Sequence, residues 1–293
     1  MDLLSIDSLS DGQIATILER ARYWFNENHQ CDWHHNLAGK LVFNVFYENS
    51  TRTLMSFATA AHRLGMSVVT MPVEQSSVKK GETLEDTART LNAMHPDLIV
   101  IRHRENGAPE IVAEIMDTPV INAGDGTNEH PTQALLDAAA ICNRLGKIEG
   151  LKIAICGDIK HSRVARSNAK LLPRLGAEVR LAGPPELMPD GIPQLSVDEA
   201  IDGADVVMML RVQRERLERD FGDAPGEFLQ CYGLTADRLA RAAPGALVMH
   251  PGPMNRGVEI DGEIADNPQR SLITLQVEMG VAVRMACLEM LVA

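Results

Sequence analysis

Two short stretches combine anion-binding side chains with backbone positions that favour anions. The first is Ser50-Thr51-Arg52-Thr53, which follows the apolar run Leu41-Val42-Phe43-Asn44-Val45-Phe46 and the connector Tyr47-Glu48-Asn49. Behind it Leu54, Phe57, Ala58, Ala61 and Leu64 recur at helical spacing, and Gly65 ends the pattern. Ser50 therefore falls at an N-cap, with residues 51–53 in a first turn whose N–H groups are unpaired and whose dipole end is positive. Three hydroxyls and a guanidinium at such a point suit a phosphate. A plain helix cap beside a solvated arginine accounts for the same residues, so the segment alone leaves both readings open. The GxxxxGK[ST] phosphate loop is absent.

The second stretch is His130-Pro131-Thr132-Gln133. Pro131 keeps His130 out of the helical region and itself suits a first helical position. Leu135, Ala138, Ala139, Cys142 and Leu145 then mark a buried helix face, so His130 and Gln133 are presented at a helix start. Asn122-Ala123-Gly124-Asp125-Gly126 just before it reads as a flexible glycine-rich loop. Between the two stretches lie Ser76-Ser77-Val78-Lys79-Lys80, ordinarily a solvated basic loop, and Arg102, which follows the strand-like residues 97–101. Open α/β sheets carry their ligand groups at such strand ends.

The elements that must position these groups alternate in type. Strand-like runs fall at 41–46, 67–71, 97–101, 120–121, 151–156, 178–181, 205–210 and 246–250, with helical patterns between most of them. Ser10 and Gln13 resemble a capping box opening a helix that ends near Phe25. The expected class is α/β, in two domains, each a mostly parallel sheet flanked by helices. Eight strands also fit a (β/α)₈ barrel on count, but a fresh strand–Gly–helix unit after residue 145 favours two open sheets. The last helix, near residues 274–291, has no following strand and is expected to pack back on the first domain.

Composition narrows the function classes. The 293 residues carry 28 Lys and Arg against 40 Asp and Glu, a net charge of −12, which argues against nucleic acid and anionic membranes as partners. No apolar run approaches membrane-span length, and residues 1–7 lack a signal-peptide pattern. Cys31, Cys142, Cys156, Cys231 and Cys287 are scattered and form no CxxC, so a reducing cytoplasm is expected. His34-His35 have no further ligand at zinc spacing, and no metal or other cofactor is expected. Gly157 after strand 151–156 stands without the rest of GxGxxG, which disfavours a nicotinamide cofactor.

Phe46-Tyr47-Glu48-Asn49-Ser50-Thr51-Arg52-Thr53-Leu54-Met55-Ser56-Phe57 resembles the carbamoyl-phosphate signature of the aspartate/ornithine transcarbamoylases, with Leu54 where the family more often has Arg. His130-Pro131-Thr132-Gln133-Ala134-Leu135-Leu136-Asp137 resembles a second signature, in the family's order. The resemblance extends over nearly the whole chain. It implies the transcarbamoylase fold, with a carbamoyl phosphate-binding domain over 1–134, completed by the C-terminal helix 274–293, and an aspartate-binding domain over 148–273. It implies that Ser50, Thr51, Arg52 and Thr53 hold the phosphate with Arg102. It also implies that Ser76 and Lys80 reach a neighbouring subunit's site in a homotrimer; Val78 stands where some members have Gly.

By the same resemblance Arg163, Arg211 and Gln213, with Lys80, occupy the positions that bind aspartate carboxylates. His250-Pro251-Gly252-Pro253 stands where ornithine enzymes have His-Cys-Leu-Pro, and their Ser-Met-Gly loop is absent. Arginine forks suit a dicarboxylate, so aspartate is the implied acceptor. Thr53, Arg102 and His130 would donate to the carbamoyl oxygen. Gln133 and carbonyls near Pro251-Gly252 would orient the carbamoyl NH₂, with Gly252 and Pro253 bordering aspartate. The resemblance leaves open further assembly with regulatory chains or dihydroorotase. Two rivals remain: a non-catalytic carbamoyl-phosphate-binding or scaffolding subunit, which need not retain Arg52, Arg102, His130 and Arg211, and a transcarbamoylase for another amine.

Overall fold

The computed structural model describes residues 1–28, 35–193, 195–212 and 226–292. The chain groups into two units, Met1–Ala139 with Val277–Ala293, and Ala140–Gln276. In the first, Ser10 N donates to Gln13 Oε1 at 2.8 Å and Gln13 N to Ser10 Oγ at 3.3 Å, the reciprocal cap that opens helix α1 (Asp11–Asn28). The helix continues past Phe25 through the polar Asn26-Glu27-Asn28, which apolar periodicity does not register.

Strands β1 (Leu41–Phe46), β2 (Ser67–Met71), β3 (Leu98–His103) and β4 (Val120–Asp125) form an all-parallel sheet in the order β2-β1-β3-β4. Helices α2 (Thr51–Arg63), α3 (Leu84–Asn92) and α4 (Ala108–Ala113) make the crossovers, and α5 (Pro131–Leu145) leaves β4. Parallel strands covered on both faces become continuous apolar runs, as in β3, where every residue is buried. Phe43, Val45, Ile99, Ile101 and Val120 pack with Ala88 and Val112 from α3 and α4.

Composition makes residues 122–126 a flexible glycine-rich loop, but the structure does not. Residues 122–125 are the buried second half of β4. Their polarity is satisfied internally: Asn122 Nδ2 donates to Asp125 Oδ1 at 2.8 Å, and Gly124 N to Asn122 Oδ1 at 2.7 Å. Asp125 also accepts from Gly107 N at 2.9 Å and Glu129 N at 3.1 Å. Turn-rich composition was outweighed by side chains that hydrogen-bond one another in the core.

The second unit repeats the arrangement. Strands β5 (Lys152–Cys156), β6 (Glu178–Ala182), β7 (Val206–Met209) and β8 (Leu247–Met249) form an all-parallel sheet in the order β6-β5-β7-β8. Helices α6 (Arg163–Arg174), α7 (Val197–Ile201), α8 (Glu227–Tyr232), α9 (Ala236–Leu239) and α10 (Gly262–Ala265) accompany it. Ala154, Cys156, Val207, Met209 and Val248 share a core with Leu234 and Ile260. Gly157 has φ +125°, and a Cβ there would sit 2.7 Å from Leu210 O, so only glycine lets the turn after β5 pass this close to the end of β7.

Helix α11 (Ile273–Val292) returns most of its length to the first unit. Glu289 accepts from Arg20 Nε at 2.6 Å and Nη2 at 2.8 Å and from Trp24 Nε1 at 3.1 Å, tying α11 to α1. The buried Arg284 guanidinium lies 4.9 Å from the Phe57 ring centroid of α2. No described helix is long and apolar enough to cross a membrane.

Candidate active site

In both units the expected site residues gather at the carboxyl ends of the parallel strands. In the first, Ser50–Thr53 follow β1, Ser76 and Lys80 follow β2, Arg102 is the penultimate residue of β3, and His130 lies beyond β4. The chain order reverses between β1 and β3, which are neighbours, and crevices for ligands open at such switch points.

Ser50 caps α2, its hydroxyl accepting from Thr53 N at 3.4 Å. Thr53 and His130 are buried and converge, Thr53 Oγ1 lying 3.5 Å from His130 Nε2. Thr51 and Arg52 are exposed in the first turn. Arg102 is buried and held at two points: Nη1 donates to Ala123 O at 3.3 Å and Nη2 to Glu48 Oε1 at 3.0 Å. The β3–β4 register shifts at this point, between Ile101 and His103, and such irregularities re-aim the intervening side chain. Burial lowers the pKa of the adjacent His103, whose ring packs edge-on against Tyr47 with centroids 4.7 Å apart and whose Nδ1 accepts from Glu105 N at 3.0 Å.

Gln133 Nε2 donates to Asp137 Oδ1 at 2.9 Å. With its NH₂ turned to that buried carboxylate, the amide presents its oxygen as an acceptor. Ser76 is committed to its own turn, donating to Val73 O at 2.7 Å and accepting from Val78 N at 3.3 Å. Lys80 ends a 3₁₀ turn (Ser77–Lys80), is exposed, and pairs with no acid among the described residues. Glu48 and Asp137 lie within the two signature stretches, where residue type alone points to no role for them. Asp137 was within reach of sequence reasoning, because four residues from Gln133 on a helix means the same face.

The second unit has the same logic. Arg163 is the first residue of α6, buried, behind the Ser162 cap that accepts from Ala165 N at 3.1 Å. The turn before it is pinned by Asp158, which is fully buried and faces His161 Nδ1 at 2.9 Å. Arg211 is half-buried, two residues beyond β7, and Gln213 lies outside the described residues. Gly252 and Pro253 follow β8. Here too the switch point falls between adjacent strands, β5 and β7, whose ends carry Arg163 and Arg211. Each unit thus presents hydroxyls, guanidinium groups or both at the carboxyl end of its sheet, a placement that suits anions. Among the described residues no group of three His, Cys, Asp or Glu side chains gathers as a metal site would need.

Residues 1–143 match the sequence model of the aspartate/ornithine carbamoyltransferase carbamoyl-P binding domain, and residues 149–291 match that of the Asp/Orn binding domain. The chain belongs to the aspartate/ornithine carbamoyltransferase family. Its two four-stranded parallel sheets with flanking helices are the carbamoyltransferase fold. It is 58% identical to the aspartate carbamoyltransferase catalytic subunit of Rhizorhabdus wittichii, covering 99% of this chain and 94% of the relative. It is 53% identical to that of Rhodospirillum rubrum, covering 99% and 93%. Among solved carbamoyltransferases, the Trypanosoma cruzi aspartate transcarbamoylase in complex with carbamoyl aspartate and phosphate superposes with a TM-score of 0.89, at 33% identity over 100% of this chain and 96% of that one. The catalytic subunit from M. jannaschii superposes at 0.85, with 36% identity over 99% and 97%.

Proposed function

We propose that the chain transfers the carbamoyl group of carbamoyl phosphate to the amine of L-aspartate, giving N-carbamoyl-L-aspartate and phosphate. The reading is supported by family membership and by the activity in the names of its relatives. The observation that carries it is the gathering of Ser50–Thr53, Arg102 and His130 at one sheet's switch point and of Arg163 and Arg211 at the other's. One set suits a phosphate with an attached carbonyl, the other a dicarboxylate.

In this reading Ser50, Thr51, Arg52 and Thr53 hold the phosphate at the α2 N-terminus, aided by Arg102. The aspartate amine attacks the carbamoyl carbon and negative charge develops on the carbonyl oxygen, to which Thr53, Arg102 and His130 donate. The charge then collapses, the carbon–oxygen bond to phosphate breaks, and the leaving phosphate takes the amine proton. Gln133 Oε1 and the carbonyls of Pro251 and Gly252 accept from the carbamoyl NH₂. Arg163, Arg211 and Gln213, with Lys80, bind the aspartate carboxylates, bordered by Gly252 and Pro253. Catalysis is then positioning and charge stabilisation. The step needs no covalent nucleophile and no electron transfer.

A carbamoylation assay with aspartate, ornithine and other amino acids tests the reading. Aspartate-specific turnover is expected, with Arg52→Ala lowering kcat/KM by about 10²–10³. Turnover with another amine alone overturns the substrate assignment, and binding of carbamoyl phosphate without turnover points to a scaffolding subunit. Ser76 and Lys80 serve the site of a neighbouring subunit in a homotrimer. The ammonium of Lys80, exposed and paired with no acid among the described residues, is suited to that role. Dissociated Arg52→Ala and Lys80→Ala proteins, mixed and reassembled, should regain activity, because some sites escape both lesions. No recovery after demonstrated subunit exchange rejects the shared site.

A further inference from the structure

Beyond β8 the chain makes a loop that begins at His250 and closes at Glu259, and the two side chains meet beneath it. Both are buried, with His250 Nε2 3.2 Å from Glu259 Oε1. The other ring nitrogen faces a donor, because Gly252 N donates to His250 Nδ1 at 2.9 Å. Nδ1 must therefore carry the lone pair and Nε2 the proton, and the protonated edge points at the carboxylate. Glu259 Oε1 also accepts from Asn255 N, and Oε2 from Asn255 Nδ2 at 3.3 Å. His250 N is held by Gln276 Oε1 at 3.0 Å, which fixes the base of the loop to the start of α11.

We propose that Glu259 is a positioning residue that acts through His250. By accepting a hydrogen bond from Nε2–H it keeps Nδ1 as an acceptor. Nδ1 in turn fixes the Gly252 N–H, which shares a peptide plane with the Pro251 carbonyl, and so sets where the loop holds the Pro251 and Gly252 carbonyls. The proposal rests on the reading above, in which those carbonyls receive the carbamoyl NH₂. A ring in the opposite tautomer turns an N–H toward the Gly252 N–H, and the two donors repel. The loop then rotates away and takes its carbonyls with it.

The chemistry of the pair supplies its own control. In His250→Asn the side-chain oxygen takes the place of Nδ1 and accepts from Gly252 without any proton to place, so Glu259 loses its role in that background. Glu259→Leu is expected to lower kcat about tenfold or more in the wild-type background and by less than about threefold in His250→Asn, as misplaced contacts affect the chemical step most. Inhibition by inorganic phosphate, which reads the α2 site, should be unchanged in both, and urea midpoints identify folded variants. An unchanged kcat in folded Glu259→Leu, or an equal loss in the two backgrounds, overturns the proposal. If Glu259→Leu does not fold, His250→Gln, which removes the Gly252 acceptor and leaves Glu259 in place, is compared with His250→Asn, and equal kcat for these two overturns it. Absence of aspartate turnover in the wild-type protein is a different result and rejects the parent reading instead.

Discussion

Arg102 illustrates how a proposed site residue is positioned by partners distant in sequence. Its two terminal nitrogens are used by Glu48 and by Ala123 O, so the guanidinium plane is fixed before any ligand arrives. Glu48→Gln keeps the size but loses the charge of one anchor. We expect a fall in kcat of about tenfold, with a urea midpoint close to wild type, since this pair is not fully buried. An unchanged kcat contradicts the anchoring role. Arg102 and His130 were legible in the sequence, because each falls where a periodic pattern changes and such boundaries mark strand ends and helix starts. Glu48 was not, because its contact is long-range and an acid in a connector reads as a solvated one. The deciding partner lay fifty-four positions away.

At the scale of elements, the sequence revealed every strand at close to its position, while β4 was cut short because Asn122, Gly124 and Asp125 resemble a turn until their mutual hydrogen bonds are known. Helix α11 offers a test of how elements are tied. Burial acts to raise the Glu289 pKa, but donors from Arg20, Asn36 and Trp24 outweigh it and hold the carboxyl below its ordinary value of 4.5. A carboxylate depressed on folding contributes stability that is complete above its unfolded pKa and is lost as pH falls through the folded one. Glu289→Gln should therefore lower the melting temperature at pH 7. The gap between variant and wild type should close as pH falls below about 4.5 and on through the folded pKa. A gap that persists at pH 2 to 3 shows packing, not charge, to be responsible.

On the whole-molecule scale the net charge of −12 and the cationic strand ends describe different things. The acidic surplus sets aside polyanions, while Arg52, Arg102, Arg163 and Arg211 are the cations proposed to receive small anions at the strand ends. Cysteine chemistry is similarly local. Burial pushes the thiols of Cys156 and Cys287 up to about 12, whereas Cys231 is exposed. Maleimide at neutral pH should label Cys231 rapidly and reach Cys156 and Cys287 only in denaturant, read residue by residue from digested peptides. Rapid labelling of either buried thiol in the native protein contradicts these surroundings. The return of α11 to the first unit has a consequence for biosynthesis. Trp24 and Phe57 leave the ribosome long before Glu289 and Arg284, which meet them. The second unit, continuous from Ala140 to Gln276, is fully synthesised first, while the first waits with an apolar flank uncovered, open to chaperones or to misassembly with a sister chain. The half of the protein that is born first is the half completed last.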